Sequence, residues 1–303
     1  MCRRARFPAF PAEKAIAMSL TKSGIDLDAL WHRRRTIIKQ AKGLSPDVSK
    51  VTFADVGGYK QIQKLGAGIM NGNNRPSLVV RIAEGEKYFA GATGDVQDNT
   101  GVAQDFHGAF LREMEDCGWT GLIAVGPQGA GKTIFSTALG NSYGIMSLAM
   151  DTGAMKNRYL GNSEGNIRSA MKVIKAIGGS RVLFVMTINK LQSISPELRR
   201  RFRLGIWFFD LPTDQEREPI WRICMKKFGL KDQPRPDDSH YTGSDIRNVC
   251  DIAWQLDCPL KKAAEMFVPI AVSDPDGVKQ LRKSADGKFL SASNPGLYRY
   301  PVP

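Results

Sequence analysis

Eight consecutive residues carry the sharpest chemistry in this chain: Gly126, Pro127, Gln128, Gly129, Ala130, Gly131, Lys132 and Thr133. The spacing is GxxxxGK[ST], and it follows an apolar run, Leu122–Val125, and opens a helix. Glycines there leave backbone N–H groups free to wrap an anion, and the start of the helix adds positive potential. Lys132 brings a point charge to the outer phosphates of a nucleoside triphosphate, and the Thr133 hydroxyl is a ligand for Mg²⁺. Ile134 completes the stretch that would line the nucleotide. The residue types therefore predict a chain that binds a nucleoside triphosphate with Mg²⁺.

Such a loop needs a strand before it and a sheet around that strand. Strand patterns fall at 78–82, 122–125, 145–150, 182–187 and 206–210, with helical patterns at about 104–117, from 132, at 163–177 and at 196–201. That alternation is the mark of an α/β sandwich with a mostly parallel sheet. After Pro212 the chain turns helical, most clearly at 214–228 and 243–256, and the stretch 272–303 is rich in Pro, Gly and Ser. At the other end, 26–42 reads as a helix that Pro46 stops.

Composition narrows the classes. Hydrophobic residues are 42% and charged residues 24% of 303, ordinary for a globular chain. No apolar run approaches the roughly 20 residues of a spanning helix, so no membrane is expected. Five cysteines (2, 117, 224, 250, 258) form no CxxC pair, and three histidines (32, 107, 240) give no zinc spacing. That cysteine usage suits the cytoplasm. HExxH is absent, and no Ser/His/Asp grouping suggests a protease. The net charge is +13, and residues 1–50 hold 11 basic and 4 acidic residues. A basic arm is suited to nucleic acid, or is simply a solvated tail. The first 17 residues lack the apolar stretch of a targeting peptide, and Met18 is a second candidate start.

Several segments together resemble the AAA family of ATPases, over about 53–256, and the chain is most similar to short phage and bacterial members. Phe53-Ala-Asp55-Val-Gly57-Gly resembles the stretch entering the nucleotide pocket, which puts Asp55 and Gly57 near the adenine. Tyr159-Leu160-Gly161, with the helix after it, resembles the pore loop of katanin-like and FtsH-like members; Tyr159 packing beneath the sheet is the plainer alternative. Asn189 matches the first sensor, and Pro196–Phe202 the arginine-finger segment, with Arg201 the best match and Arg200 or Arg199 the second. Tyr241-Thr-Gly243-Ser-Asp245-Ile-Arg247 resembles the lid element, where Arg247 is either a second sensor or a surface ion pair. The resemblance implies a P-loop three-layer sandwich with a five-stranded mostly parallel sheet and a small helical lid. It divides the chain into an arm (1–50), a core (51–212), a lid (213–271) and a tail (272–303). It also implies ATP and Mg²⁺ as cofactors, a head-to-tail ring, usually a hexamer, and work on a protein client that the sequence does not name.

The sequence departs from that family at the acidic strand. Members carry hhhhDE between the pore-loop helix and the sensor strand, where this chain has only Val182-Leu-Phe-Val-Met-Thr187. Upstream, Leu78-Val-Val-Arg-Ile-Ala83-Glu84-Gly-Glu86-Lys87 reads like hhhhDEIEK, which implies a permuted order with the acidic strand ahead of the P-loop; the alternative is an unrelated strand with a charged end. Ala83 stands where the metal-holding Asp would be, while Glu84 remains to polarise the attacking water. Impaired hydrolysis is the expectation. The readings are an ATPase that remodels or threads a protein, a nucleotide-binding assembly factor that hydrolyses weakly or not at all, and a DNA-associated ATPase.

Overall fold

Seven consecutive buried residues, Val182–Ile188, mark a strand covered on both faces, and the rest of the core is arranged around it. The computed structural model describes residues 20, 21, 24, 25, 36, 38, 40–86, 102–155, 162–190 and 195–300. In chain order its elements are the strands β1 (Leu20–Thr21), β2 (Gly24–Ile25) and β3 (Leu44–Pro46), a 3-10 turn at Phe53–Asp55, α1 (Lys60–Asn71) and β4 (Leu78–Ile82). Then follow α2 (Val102–Asp116), β5 (Thr120–Val125), α3 (Lys132–Asn141), β6 (Met146–Met150), α4 (Thr152–Met155), α5 (Asn162–Gly178), β7 (Val182–Ile188), α6 (Pro196–Arg201) and β8 (Ile206–Phe208). The last part holds α7 (Asp214–Phe228), α8 (Gly243–Gln255), α9 (Leu260–Ala264), α10 (Ile270–Ser273), α11 (Pro275–Ala285) and β9 (Leu290–Ser291).

The main sheet runs β3-β6-β4-β7-β5-β8-β9. Only β3 is antiparallel to its neighbour. The fold is the α/β P-loop sandwich the sequence implies, but the sheet has seven strands where five are expected. The two extra strands sit at opposite edges and are three and two residues long, too short to show a strand period. Backbone pairing holds them: Asp47 N–H donates to Ser147 O at 2.9 Å, and Ala292 N–H to Phe208 O at 3.0 Å. Thus the end of the basic arm and part of the Pro/Gly/Ser-rich tail both join the core sheet. The rest of the arm lies almost entirely outside the described residues.

Strand alternation sorts the core into two layers. Ile123 and Val125 of β5 pack with Phe184, Phe110, Met114 and Trp119 on one face. Leu122 and Ala124 pack with Phe135, Leu139, Tyr59 and Ile62 on the other. The helices after Pro212 have a core of their own, built from Trp221, Tyr241, Ile246, Val249, Cys250 and Leu260. No helix among the described residues is long and apolar enough to cross a membrane.

Candidate functional site

The strand β5 delivers the chain into the glycine loop at the C-terminal edge of the sheet. Gly126 sits so near the next strand's exit that a Cβ there would fall 2.0 Å from Phe209 O. Gly131 caps α3 from the left-handed region, φ 87°, a conformation that costs a side-chain-bearing residue about 1 kcal/mol or more. Lys132 is only 6% exposed. Its ammonium donates to Gly126 O and Pro127 O, each at 2.7 Å, so it is folded onto the carbonyls of its own loop. Burial pulls Lys132 down to about 8, and the neighbouring Glu86 carboxylate acts the other way. Thr133, Ile134 and Gln128 are exposed, whereas Pro127 and Ala130 are buried.

Beside β5 lies β7, and beside β7 lies β4. Asn189, just past β7, donates its Nδ2 to Glu86 Oε1 at 2.7 Å. Glu84 takes a left-handed backbone, φ 53°, and its N–H donates to Thr187 Oγ1 at 3.2 Å. The chain then rejoins β7, with Gly85 N–H donating to Thr187 O at 2.8 Å. Ala83 is exposed at the strand end. Among the described residues Glu86 Oε2 is buried without a hydrogen-bond partner. The structure brings Asn189 onto Glu86. The signal was faint, because a pairing across 103 residues leaves no local pattern.

The stretch 53–59 packs against α7. Asp55 is exposed, and its carboxylate accepts the Thr52 N–H at 2.8 Å, capping the short turn. A Cβ on Gly57 would meet Ile220 of α7 at 2.5 Å. Tyr59, which the sequence did not single out, is buried; its N–H donates to Glu216 Oε1 at 2.7 Å and its phenol to Asp210 O at 2.9 Å. The signal available was an aromatic residue directly after a glycine pair. From the other side α8 touches the glycine loop itself: Ser244 N–H donates to Gly129 O at 3.2 Å. A Cβ on Gly243 would lie 3.8 Å from Gly129 O, an ordinary contact, so this approach does not depend on glycine there. Thr242 and Asp245 cap α8 reciprocally, at 3.2 and 2.8 Å.

Of the arginines, Arg201 is ion-paired with Glu115 of α2, while Arg199 and Arg200 are exposed. Arg247 is exposed on α8. Ser195 and His107, which the sequence left unpaired, meet at 3.1 Å (Oγ to Nε2). There the Ser195 hydroxyl also accepts the Leu198 N–H at 3.2 Å, capping the arginine helix. Tyr159, Leu160 and Gly161 lie outside the described residues.

Residues 122–178 match the ATPase family associated with various cellular activities (AAA). That stretch is similar to an AAA domain. The matched stretch includes the glycine loop, α3, β6 and α5. An AAA domain-containing protein, ycf46, of Pyropia yezoensis is 25% identical over 230 residues, 57% of this chain and 47% of that protein. Its counterpart in Guillardia theta is 26% identical over 245 residues, covering 61% and 48%. A katanin p60 ATPase-containing protein of Oryctolagus cuniculus is 23% identical over 185 residues, covering 44% and 38%. The chain thus spans about half the length or less of these relatives. Among solved structures, a crystal structure of the FIGL-1 AAA domain has a TM-score of 0.48 at 14% identity, covering 83% of this chain and 95% of that one.

Proposed function

We propose that this protein is an ATPase whose nucleotide cycle drives the remodelling or threading of a protein client within a head-to-tail ring. One observation carries the reading: the C-terminal ends of three adjacent parallel strands, β4, β7 and β5, gather an acid, an amide and the phosphate-loop lysine. Glu84 and Glu86 follow β4, Asn189 follows β7, and Lys132 follows β5 through the glycine loop. In this reading β4 is the acidic strand, set ahead of the phosphate loop in chain order. Its support is its seat beside β7, where the resemblance requires the acidic strand to be.

The chemistry assigned to each side chain follows from its type and position. Lys132 leaves its two loop carbonyls for the outer phosphates, and the loop N–H groups take the remaining oxygens. Glu84 accepts a proton from the attacking water, a role worth about 10²–10⁴ in rate, and Asn189 orients that water. An exposed Thr133 hydroxyl and a buried, unpartnered carboxylate oxygen on Glu86 are hard donors, so the site fits Mg²⁺. Bound there, Mg²⁺ would neutralise charge developing on the phosphates. Among the described residues no cluster of three or more His, Cys, Asp or Glu could hold a metal alone. That is how Mg²⁺ usually sits, on one or two protein groups plus substrate phosphates.

Ring formation is supported by exposed apolar residues on the lid: Trp254, Leu256, Met266 and Val268 are each more than half exposed. Arg200 and Arg201 are the candidates for completing a neighbour's site, and Tyr159-Leu160-Gly161 for gripping a client. Four free cysteines among the described residues suit a cytoplasmic setting. A second reading, a nucleotide-bound assembly factor with little hydrolysis, is favoured by Ala83, which leaves β4 without its first carboxylate. Steady-state Mg²⁺-dependent ATP turnover beside Lys132→Ala and Glu84→Gln separates the two. Turnover abolished by both changes supports the motor; tight ATP binding without turnover in the unchanged protein supports the assembly factor.

A further inference from the structure

We infer that Glu86 performs the metal-positioning task that Ala83 cannot, through the backbone kink at Glu84 that brings it into the site. The inference rests on the nucleotide-binding reading above and deepens it.

In a straight strand, side chains alternate between faces, and Ala83 has no carboxylate to offer from its place at the end of β4. The chain does not run straight. Glu84 takes φ 53°, a region sparsely used by residues other than Gly, Asn and Asp and costing about 1–3 kcal/mol. Two bonds to one residue of β7 fix the kink: Glu84 N–H to Thr187 Oγ1 at 3.2 Å, and Gly85 N–H to Thr187 O at 2.8 Å. A Cβ on Gly85 would press on Met186 Sδ at 2.6 Å, so a side chain there would have to push that methionine aside. Past the kink Glu86 turns back onto the end of β7. Asn189 Nδ2 fixes one of its oxygens at 2.7 Å. The other oxygen is buried and, among the described residues, has no hydrogen-bond partner.

Leaving a buried carboxylate oxygen unpaired is costly. A water of the Mg²⁺ shell would satisfy that oxygen, and the Asn189 bond aims it. On this view Glu84 keeps the proton-accepting role and Glu86 supplies the missing metal carboxylate, three residues later than the family pattern.

The test is a Mg²⁺ titration of nucleotide binding by the full chain, followed with a fluorescent ATP analogue. Manganese substituted for magnesium, read by electron paramagnetic resonance, gives the metal affinity of the same complex. Glu86→Gln is expected to weaken metal binding to the protein–nucleotide complex by roughly 10–100-fold, while metal-free nucleotide binding is kept or tightened. Glu86→Asp, which keeps the charge on a shorter arm, should fall between the two; it decides the matter if Glu86→Gln does not fold. An unchanged metal titration, with tighter metal-free binding alone, would reduce Glu86 to a counter-ion for Lys132 and overturn the inference while sparing the nucleotide reading. No nucleotide binding by the unchanged protein would overturn both.

Discussion

Tyr298 donates its phenol to Asp210 Oδ2 at 2.6 Å, joining the C-terminal stretch to the strand beside the phosphate loop. The same carboxylate accepts Arg282 Nε at 2.7 Å and Leu211 N–H at 2.8 Å, and the Asp210 carbonyl accepts the Tyr59 phenol. The Tyr298 ring lies 4.4 Å from that of Phe208. One residue thus ties together the pocket entrance, the edge of β8 and the tail. Burial first, then the Asp210 charge, raises the Tyr298 phenol, so the bond keeps its proton through the neutral range. Tyr298→Phe removes a bond to a charged acceptor and should cost about 1.5–3 kcal/mol. Urea unfolding at pH 7 measures it, and a loss under about 0.5 kcal/mol would contradict this role.

Proton uptake should accompany nucleotide binding in mildly alkaline solution. In the free protein Lys132 is held down to about 8, so it is largely neutral at pH 9. Phosphate oxygens favour the ammonium and raise its pKa on binding. Affinity is therefore full below pH 8 and declines as pH rises from there toward the raised value in the complex. Calorimetric titration at pH 8.5 in two buffers of different ionisation enthalpy reads the proton directly. Equal heats in both buffers would count against the arrangement, and Lys132→Ala should abolish the buffer dependence together with most of the affinity.

Gly126→Ala is expected to damage the loop through sterics alone. The added methyl would sit 2.0 Å from Phe209 O, and a backbone carbonyl cannot swing aside as a flexible side chain can. Overpacking of this kind typically costs about 1–3 kcal/mol. The shift would fall on β5 and β8 together, so thermal unfolding should occur earlier and nucleotide affinity should drop. Wild-type melting with weakened binding would place the damage in the loop only.

Mixing variant chains tests whether the arginine helix completes a neighbour's site. The Arg201–Glu115 pair is partly solvated, with side chains 29% and 61% exposed, and such pairs contribute about 0–1 kcal/mol. Arg201→Ala and Arg200→Ala should therefore leave stability nearly intact. An arginine finger is worth about 10³–10⁵ in rate, so each should lower turnover far more than stability. Mixing Arg200→Ala or Arg201→Ala protein with Lys132→Ala protein should restore part of the turnover, because an intact finger then meets an intact loop. Failure of every mixture to recover activity would argue for a site complete within one chain.

How legible the molecule is in its sequence depends on the distance over which each feature is specified. The glycine loop, α6 and α7 read directly, because spacing, caps and breakers act within a few residues: Ser195 and Pro196 start one helix, Thr213 and Glu216 box the next. The resemblance to the AAA family also gave the neighbourhood of β7, through Asn189. What escaped was set by contacts between distant segments. β3 and β9 exist as strands because β6 and β8 offer open edges, which neither short segment announces. The Asn189–Glu86 bond depends on a backbone kink at Glu84, a residue whose type does not favour φ above zero. Glu216 looks like a surface glutamate of a helix's first turn, yet it is 8% exposed because Tyr59 N–H and the Thr213 cap both use its carboxylate.

The seat of β4 between β6 and β7 also shapes how the chain comes together. Leu78–Ile82 is made before either of its two partners, which end at Met150 and Ile188. Until Met150 has emerged from the ribosome neither edge of this short apolar strand is paired, until Ile188 follows one edge stays open, and pairings this distant in sequence form slowly. The nascent chain therefore passes through a prolonged interval in which this strand is open to sticking to other chains. Arg81 moderates that hazard: in the finished fold it reaches Asp47 at 2.8 Å, and in the unfinished one it keeps a charge inside the run most prone to aggregate.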